Sequence, residues 1–190
     1  MFNKLLARFP TYTITEKPSL DFIASYTDRI PSELLEVWEQ FGFGIFGDGY
    51  LRIVNPADYI DLVADTYQLT STPSEGPPLA LFATAMGDLL IWEMGYLSLV
   101  DYRHGNVTIV GKTLKNFFRV FAEDSYLVER LRWEPYPAAR ELLGEPAFDE
   151  CFGYVPALAL GGPETVDHLQ KVKLREHIYL LSQLTGRLER

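Results

Sequence analysis

Between residues 79 and 110 the chain runs through four short apolar stretches, 79–85, 88–93, 96–102 and 106–110. They are separated at Met86-Gly87, Met94-Gly95 and His104-Gly105. Parallel neighbours need a crossover of about a dozen residues, and none of these connections is that long. Glycine at each break supplies the backbone freedom of a tight turn, so the spacing predicts an antiparallel meander. Every other part of the chain has to pack around that sheet.

The flanking periodicity is helical. Ser19 suits the cap of a short helix carrying Leu20, Phe22, Ile23 and Tyr26. Pro31 stands where a helix begins and Glu33 lies in its first turn. Leu34, Trp38 and Phe41 then recur at helical spacing before Gly42. Asn55-Pro56 is a further helix start, with Asp58 and Asp61 favoured near it by the helix dipole and Tyr59, Leu62, Val63 and Tyr67 on the apolar face. The polar run 70–78 cannot continue that helix. After the meander, Phe117, Phe118 and Phe121 share a face, Tyr126, Leu127, Val128 and Leu131 form a second piece, and 135–144 a third that ends in glycine. A last helix is expected from about Lys173 to Leu184, with Leu174, Ile178, Leu181 and Leu184 in register. The order predicts an α+β fold, an antiparallel β-meander packed by helices. Gly42, Gly44 and Gly47 match the spacing of a dinucleotide loop. However, a helix precedes them and a strand, 50–54, follows, the reverse of what that loop requires, so they read as a tight helix-to-strand connection.

Composition narrows the function. The single cysteine, Cys151, excludes an internal disulfide and fits a reducing compartment. Arg8 and Pro10 interrupt the only apolar start a secretory signal could use, and no stretch approaches the ~20 apolar residues of a membrane span, so a cytoplasmic protein is expected. With 17 basic against 26 acidic residues the net charge is -9, which disfavours a nucleic-acid binder. A basic protein partner is favoured instead, although acidity also serves plain solubility. Residues 1–60 carry a net -3, residues 61–150 a net -7 and residues 151–190 a net +1, so an electrostatic docking face should draw on the middle of the chain.

Little in the chain suggests catalysis. His168 and His177 are nine positions apart, which is not a metal pair on a helix, and His104 sits at a turn. Cys151 paired with a distant histidine could be a nucleophile, but a lone cysteine is more often a small buried apolar residue. The carboxylates Glu141, Glu145, Asp149 and Glu150 read as a solvated face. Nucleophile-elbow, P-loop and zinc-protease motifs do not occur. No catalytic, metal or cofactor residues are assigned.

One string is distinctive: Glu150-Cys151-Phe152-Gly153-Tyr154-Val155-Pro156-Ala157-Leu158-Ala159-Leu160-Gly161-Gly162, followed by Val166, Leu169, Val172, Glu176-His177-Ile178 and Leu184. It resembles the C-terminal half of the type VI secretion DNase-immunity family. The first half resembles the GAD-like domain that accompanies it, through Ile30-Pro31 with Leu34, Leu35 and Trp38, then Gly47-Asp48-Gly49, Asn55-Pro56, and Ala85-Met86-Gly87-Asp88 with Trp92. Met86 stands where an aromatic would be expected, and fills similar space. In outline the chain is also similar to the wider SMI1/KNR4-like immunity superfamily. The resemblance implies a GAD-like domain over 1–111 and a mostly helical immunity domain over 112–190, packed as one compact unit. It implies an immunity protein that binds and neutralises a cognate type VI secreted DNase, without catalysis, cofactor, nucleic acid or membrane as partner, and monomeric or weakly oligomeric when free. The alternative is a general intracellular interaction module. His177, on an apolar helix face, reads as a hydrogen-bonded core residue.

A nuclease must present basic surface to hold phosphates. The acidic residues expected to meet it are Asp48, Asp61, Asp65, Glu75, Asp88 and Glu93, with Tyr50, Tyr67, Tyr96 and Tyr102 as aromatic anchors if exposed.

Overall fold

The structure, a computed structural model, describes residues 7–68 and 76–190. Its centre is a seven-stranded antiparallel sheet, in the order β1 (Thr13–Glu16), β2 (Phe43–Phe46), β3 (Leu51–Ile53), β5 (Leu79–Thr84), β6 (Leu89–Glu93), β7 (Tyr96–Asp101) and β8 (Asn106–Gly111). The last four strands are the meander expected from the glycine breaks. β1 and β2 extend it. The stretch read above as a bare helix-to-strand connection is itself partly strand: Gly44 faces β1 so closely that a Cβ there would lie 2.1 Å from the Thr13 carbonyl oxygen. Gly42 stops the preceding helix at φ 70°, where a glycine is favoured.

The middle strands are buried on both faces. Leu90, Leu97 and Leu99 enter one apolar cluster, while Leu89, Ile91 and Val100 enter another on the opposite side. This alternation follows the two-residue period of a strand. A bulge between Ala80 and Phe82 lets Leu81 and Phe82 both serve the first cluster. Because both faces are covered, β5 reads as an unbroken apolar run.

Helices supply the two covers. On one side lie α2 (Ser32–Phe41), α4 (Leu114–Val120), α5 (Asp124–Leu131) and α6 (Pro135–Leu143), contributing Trp38, Phe117, Leu131 and Tyr136. On the other lie α3 (Ile60–Thr66) and α7 (Leu174–Thr185), contributing Leu62, Val63, Leu174, Ile178 and Leu181. Leu184, expected in that register, is instead exposed. A short α1 (Leu20–Ala24) is capped by Ser19, whose hydroxyl accepts from the Phe22 amide at 3.2 Å. Pro31 is the cap of α2 and lies just outside it.

The distinctive string forms a strand, β9 (Glu150–Tyr154), hairpin-paired to β10 (Leu169–Lys173), between helices α6 and α7. The amide of Phe152 donates to the Ala85 carbonyl at 2.7 Å, docking this hairpin on the β5–β6 turn. Arg52 braces the approach to β9. Fully buried, its guanidinium donates to the carbonyls of Gly49, Tyr50, Pro146 and Ala147 at 3.2–3.4 Å, and burial lowers its pKa. A parallel pair, β4 (Tyr67–Gln68) with β11 (Leu188–Glu189), ties the end of α3 to the end of the chain.

Both apolar clusters draw on residues before and after position 111. The ring of Phe117 on α4 lies 5.5 Å from that of Phe82 on β5, spanning the two stretches. We therefore expect Phe117→Ala to destabilise the whole chain by about 3–5 kcal/mol. Urea unfolding followed by tryptophan fluorescence and far-UV circular dichroism should show one coincident transition at lower urea; two separated transitions would contradict a single unit.

Candidate protein-docking surface

The N-terminus of α3 is built by Asn55, whose side chain accepts from the Ala57 amide at 3.0 Å, and by a 3₁₀ turn over Pro56–Tyr59. Leu62, Val63 and Thr66 turn inward. The spacing then sets Asp58, Asp61 and Asp65 three and four positions apart on the outer face, all exposed. Among the described residues none of these three carboxylates is ion-paired. The basic side chains nearby are spent on backbone and ring instead. Arg175 stacks 5.6 Å over the Tyr59 ring and donates to the Asp58 carbonyl. Arg187 donates to the carbonyls of Ala64 and Tyr67, at the helix end where the dipole favours a cation.

α7 packs beside α3, and Tyr179 donates to Asp65 at 3.4 Å. This helix pair also exposes large apolar side chains, Ile60 at 48%, Leu180 at 50% and Leu184 at 39%. Apolar centres ringed by polar groups are the usual make-up of a protein interface.

The sequence-derived contact residues divide sharply. Asp61 and Asp65 share the α3 face; Asp58 joins them, and sequence reasoning used it only as a helix-start signal. Asp48 is half-buried in the β2–β3 turn, where its carbonyl accepts from the Tyr136 hydroxyl at 2.6 Å. Tyr96 is half-buried at the start of β7, with Lys112 5.7 Å over its ring. Glu75 lies outside the described residues. Tyr50, Tyr67, Tyr102, Asp88 and Glu93 are buried, so they offer nothing to a partner in this conformation. Each has an internal partner. The Tyr50 hydroxyl donates to the Leu131 carbonyl, and Tyr102 bonds Thr66 at 2.7 Å. Glu93 accepts from Tyr67 at 2.7 Å and Ser98 at 3.1 Å.

Asp88 belongs to an ionic network across the turn end of the meander, which sequence reasoning missed. Arg103, in the β7–β8 turn, clamps Asp88 through Nε and Nη2, the shorter contact being 2.6 Å; both side chains are essentially inaccessible. Their mutual attraction holds Arg103 firmly protonated. Next to it, His104 bridges two carboxylates, Nδ1 to Asp101 at 2.8 Å and Nε2 to Glu164 at 2.8 Å, while the Nε of Arg132 reaches Asp101 at 3.2 Å. A histidine before glycine at a turn was the only sequence signal.

Cys151 is buried against the β5–β6 turn, and burial pushes its thiol up to about 12, which leaves it protonated and a poor nucleophile at neutral pH. His177 is a core residue, but the expected hydrogen bond is absent: its ring packs against Gly153, and no partner for its nitrogens is found among the described residues. No helix among the described residues is long and apolar enough to cross a membrane.

These features define an α+β fold: a doubly covered antiparallel sheet with an acidic and apolar helix pair on its surface. Residues 1–102 match the family model described as GAD-like domain, and residues 111–185 match that of the type VI secretion system (T6SS) immunity protein Tdi1, C-terminal. The chain belongs to the GAD-like domain family and has the two-part architecture of the T6SS immunity proteins. Among solved structures, the crystal structure of Atu4351 from Agrobacterium tumefaciens has the same fold, with a TM-score of 0.79 over 96% of this chain and 89% of that chain, at 21% sequence identity. No curated protein matches the chain.

The two histidines should bend the stability profile in opposite directions. Burial pushes the His177 pKa down to about 4 from 6.5, so the unfolded chain takes up its proton first and stability falls as pH drops from 6.5 towards 4. The His104 pKa is raised, foremost by its hydrogen bond to Asp101; its contribution is complete below 6.5 and is lost as pH rises through the folded value. His104→Gln should therefore show a melting-temperature deficit that is largest near about pH 5.5 and shrinks towards about pH 9. A deficit of constant size would contradict the bridge.

Proposed function

We propose that this chain is an immunity protein that binds a cognate T6SS-delivered DNase and neutralises it, laying the α3–α7 face over the toxin's basic DNA-binding surface. The observation that carries this reading is the row of exposed carboxylates Asp58, Asp61 and Asp65, none ion-paired among the described residues, on a helix pair that also exposes Ile60, Leu180 and Leu184. The family match supports the immunity role; the choice of a nuclease rests on the resemblance of the 150–184 segment to a DNase-immunity family, and the negative charge fits it. A DNA-cutting enzyme has to concentrate cations along the path of the phosphates, and a face of exposed carboxylates competes for them. Opposite potentials also speed encounter, which matters when a toxin has to be caught before it reaches the chromosome. That task places the protein in the cytoplasm. Inhibition here requires no chemistry, only occlusion. Asp48 and Tyr96 lie on other elements and are outside the proposed face.

The reading is tested by co-expression with candidate nuclease toxins, sought first among the neighbouring genes. Growth rescue and co-purification of the two chains are expected; a nuclease that neither is silenced nor co-purifies would leave only a general interaction module. The face is tested by the double reversal Asp61→Lys and Asp65→Lys. Both side chains are exposed, so the fold should survive. The association rate should fall by about tenfold or more at low salt, and the gap should close at about 0.5 M salt. A rate unchanged at every ionic strength would remove these residues from the interface.

A further inference from the structure

A cleft of about 390 Å³ lies between the β7–β8 turn, the α5–α6 junction and the loop before β10, and no residue of α3 or α7 lines it. Arg103, Arg132, Glu134, Glu164, Val128 and Val166 are among the residues that line it. We propose that this cleft binds a small zwitterion, an amino acid or short peptide with an apolar side chain.

Two guanidinium groups there are only half used. Arg103 has Nε and Nη2 on Asp88, but its Nη1 is buried with no hydrogen-bond partner among the described residues. A buried, charged donor left open in this way calls for an acceptor. Arg132 spends Nε on Asp101, and among the described residues nothing bonds its two terminal nitrogens. It is also held at φ 53° and ψ 45° at the end of α5, a left-handed conformation that an arginine rarely adopts. The two open terminal nitrogens of half-exposed Arg132 form the fork that suits the planar, bidentate geometry of a carboxylate, with the buried Nη1 of Arg103 in the same cleft as a further positive charge.

The acidic side chains select against other oxyanions. Glu134 is exposed and not ion-paired among the described residues, and Glu164 gives one oxygen to His104 and keeps the other. A phosphate dianion would be repelled by both, whereas the ammonium of a zwitterion would be attracted. Val128 and Val166 offer an apolar wall for a side chain, and the volume suits a molecule of one or two residues.

The test titrates the full ¹⁵N-labelled chain with leucine, N-acetylleucine, leucinamide and inorganic phosphate, following amide shifts in the β7–β8 turn and the loop before β10. Leucine should bind saturably with Kd on the order of 1 mM. N-acetylleucine should bind more weakly, and leucinamide and phosphate should cause no saturable shift. Arg132→Gln, at a half-exposed side chain, should keep the fold and weaken leucine about tenfold. The proposal is overturned if leucine gives no saturable shift at about 20 mM, if leucinamide or phosphate binds as well as leucine, or if Arg132→Gln leaves the affinity unchanged. None of these outcomes depends on a toxin partner, so the docking reading stands or falls separately.

Discussion

Burial of the meander on both faces constrains the rest of the molecule. β5, β6 and β7 have almost no side chain that can face water, so each face needs a helical cover. One cover is aromatic, built on Trp38, Phe117 and Tyr136; the other is smaller and aliphatic, built on α3 and α7. Polar groups are pushed to strand ends and turns. That is where Asp88, Asp101 and Arg103 meet, and where the cleft opens. A buried pair of this kind is weak evidence for net stability, since desolvation offsets much of the attraction. Its better-supported consequence here is position: it fixes the β5–β6 turn against the β7–β8 turn and so sets the floor on which the β9–β10 hairpin rests.

The same constraint explains the outer surface. α3 can spend its outward face on carboxylates because its inward face is fully committed to Leu62 and Val63. α7 carries Leu180 and Leu184 outside while Leu174, Ile178 and Leu181 hold the core. The proposed docking face and the sheet's second cover are two sides of one helix pair, so a partner bound there would meet a surface backed by the core, with little entropy to lose on binding.

Much of this was legible in the sequence. Glycine breaks at Gly87, Gly95 and Gly105 marked the meander, and the Asn55-Pro56 and Pro31 signals marked helix starts to within a residue or two. β1 with β2, and β9 with β10, were not legible. Their segments are short, and Gly44 and Gly153 sit where the chain needs close backbone or ring approach, so each resembles a loop. The site was only half legible. Counting acids along the chain picked Asp61 and Asp65, which are exposed, but equally picked Asp88 and Glu93, which are buried. An acid at a turn looks exposed in one dimension, and only the fold shows that a buried arginine or tyrosine waits for it.

The most direct test of the occlusion account is a titration of this protein into the purified cognate nuclease with DNA cleavage as the readout. The account predicts that cleavage falls linearly to zero at one equivalent, and that activity returns when salt or excess DNA competes for the basic surface. Full cleavage in the presence of a tenfold excess, or inhibition indifferent to both salt and DNA, would contradict it.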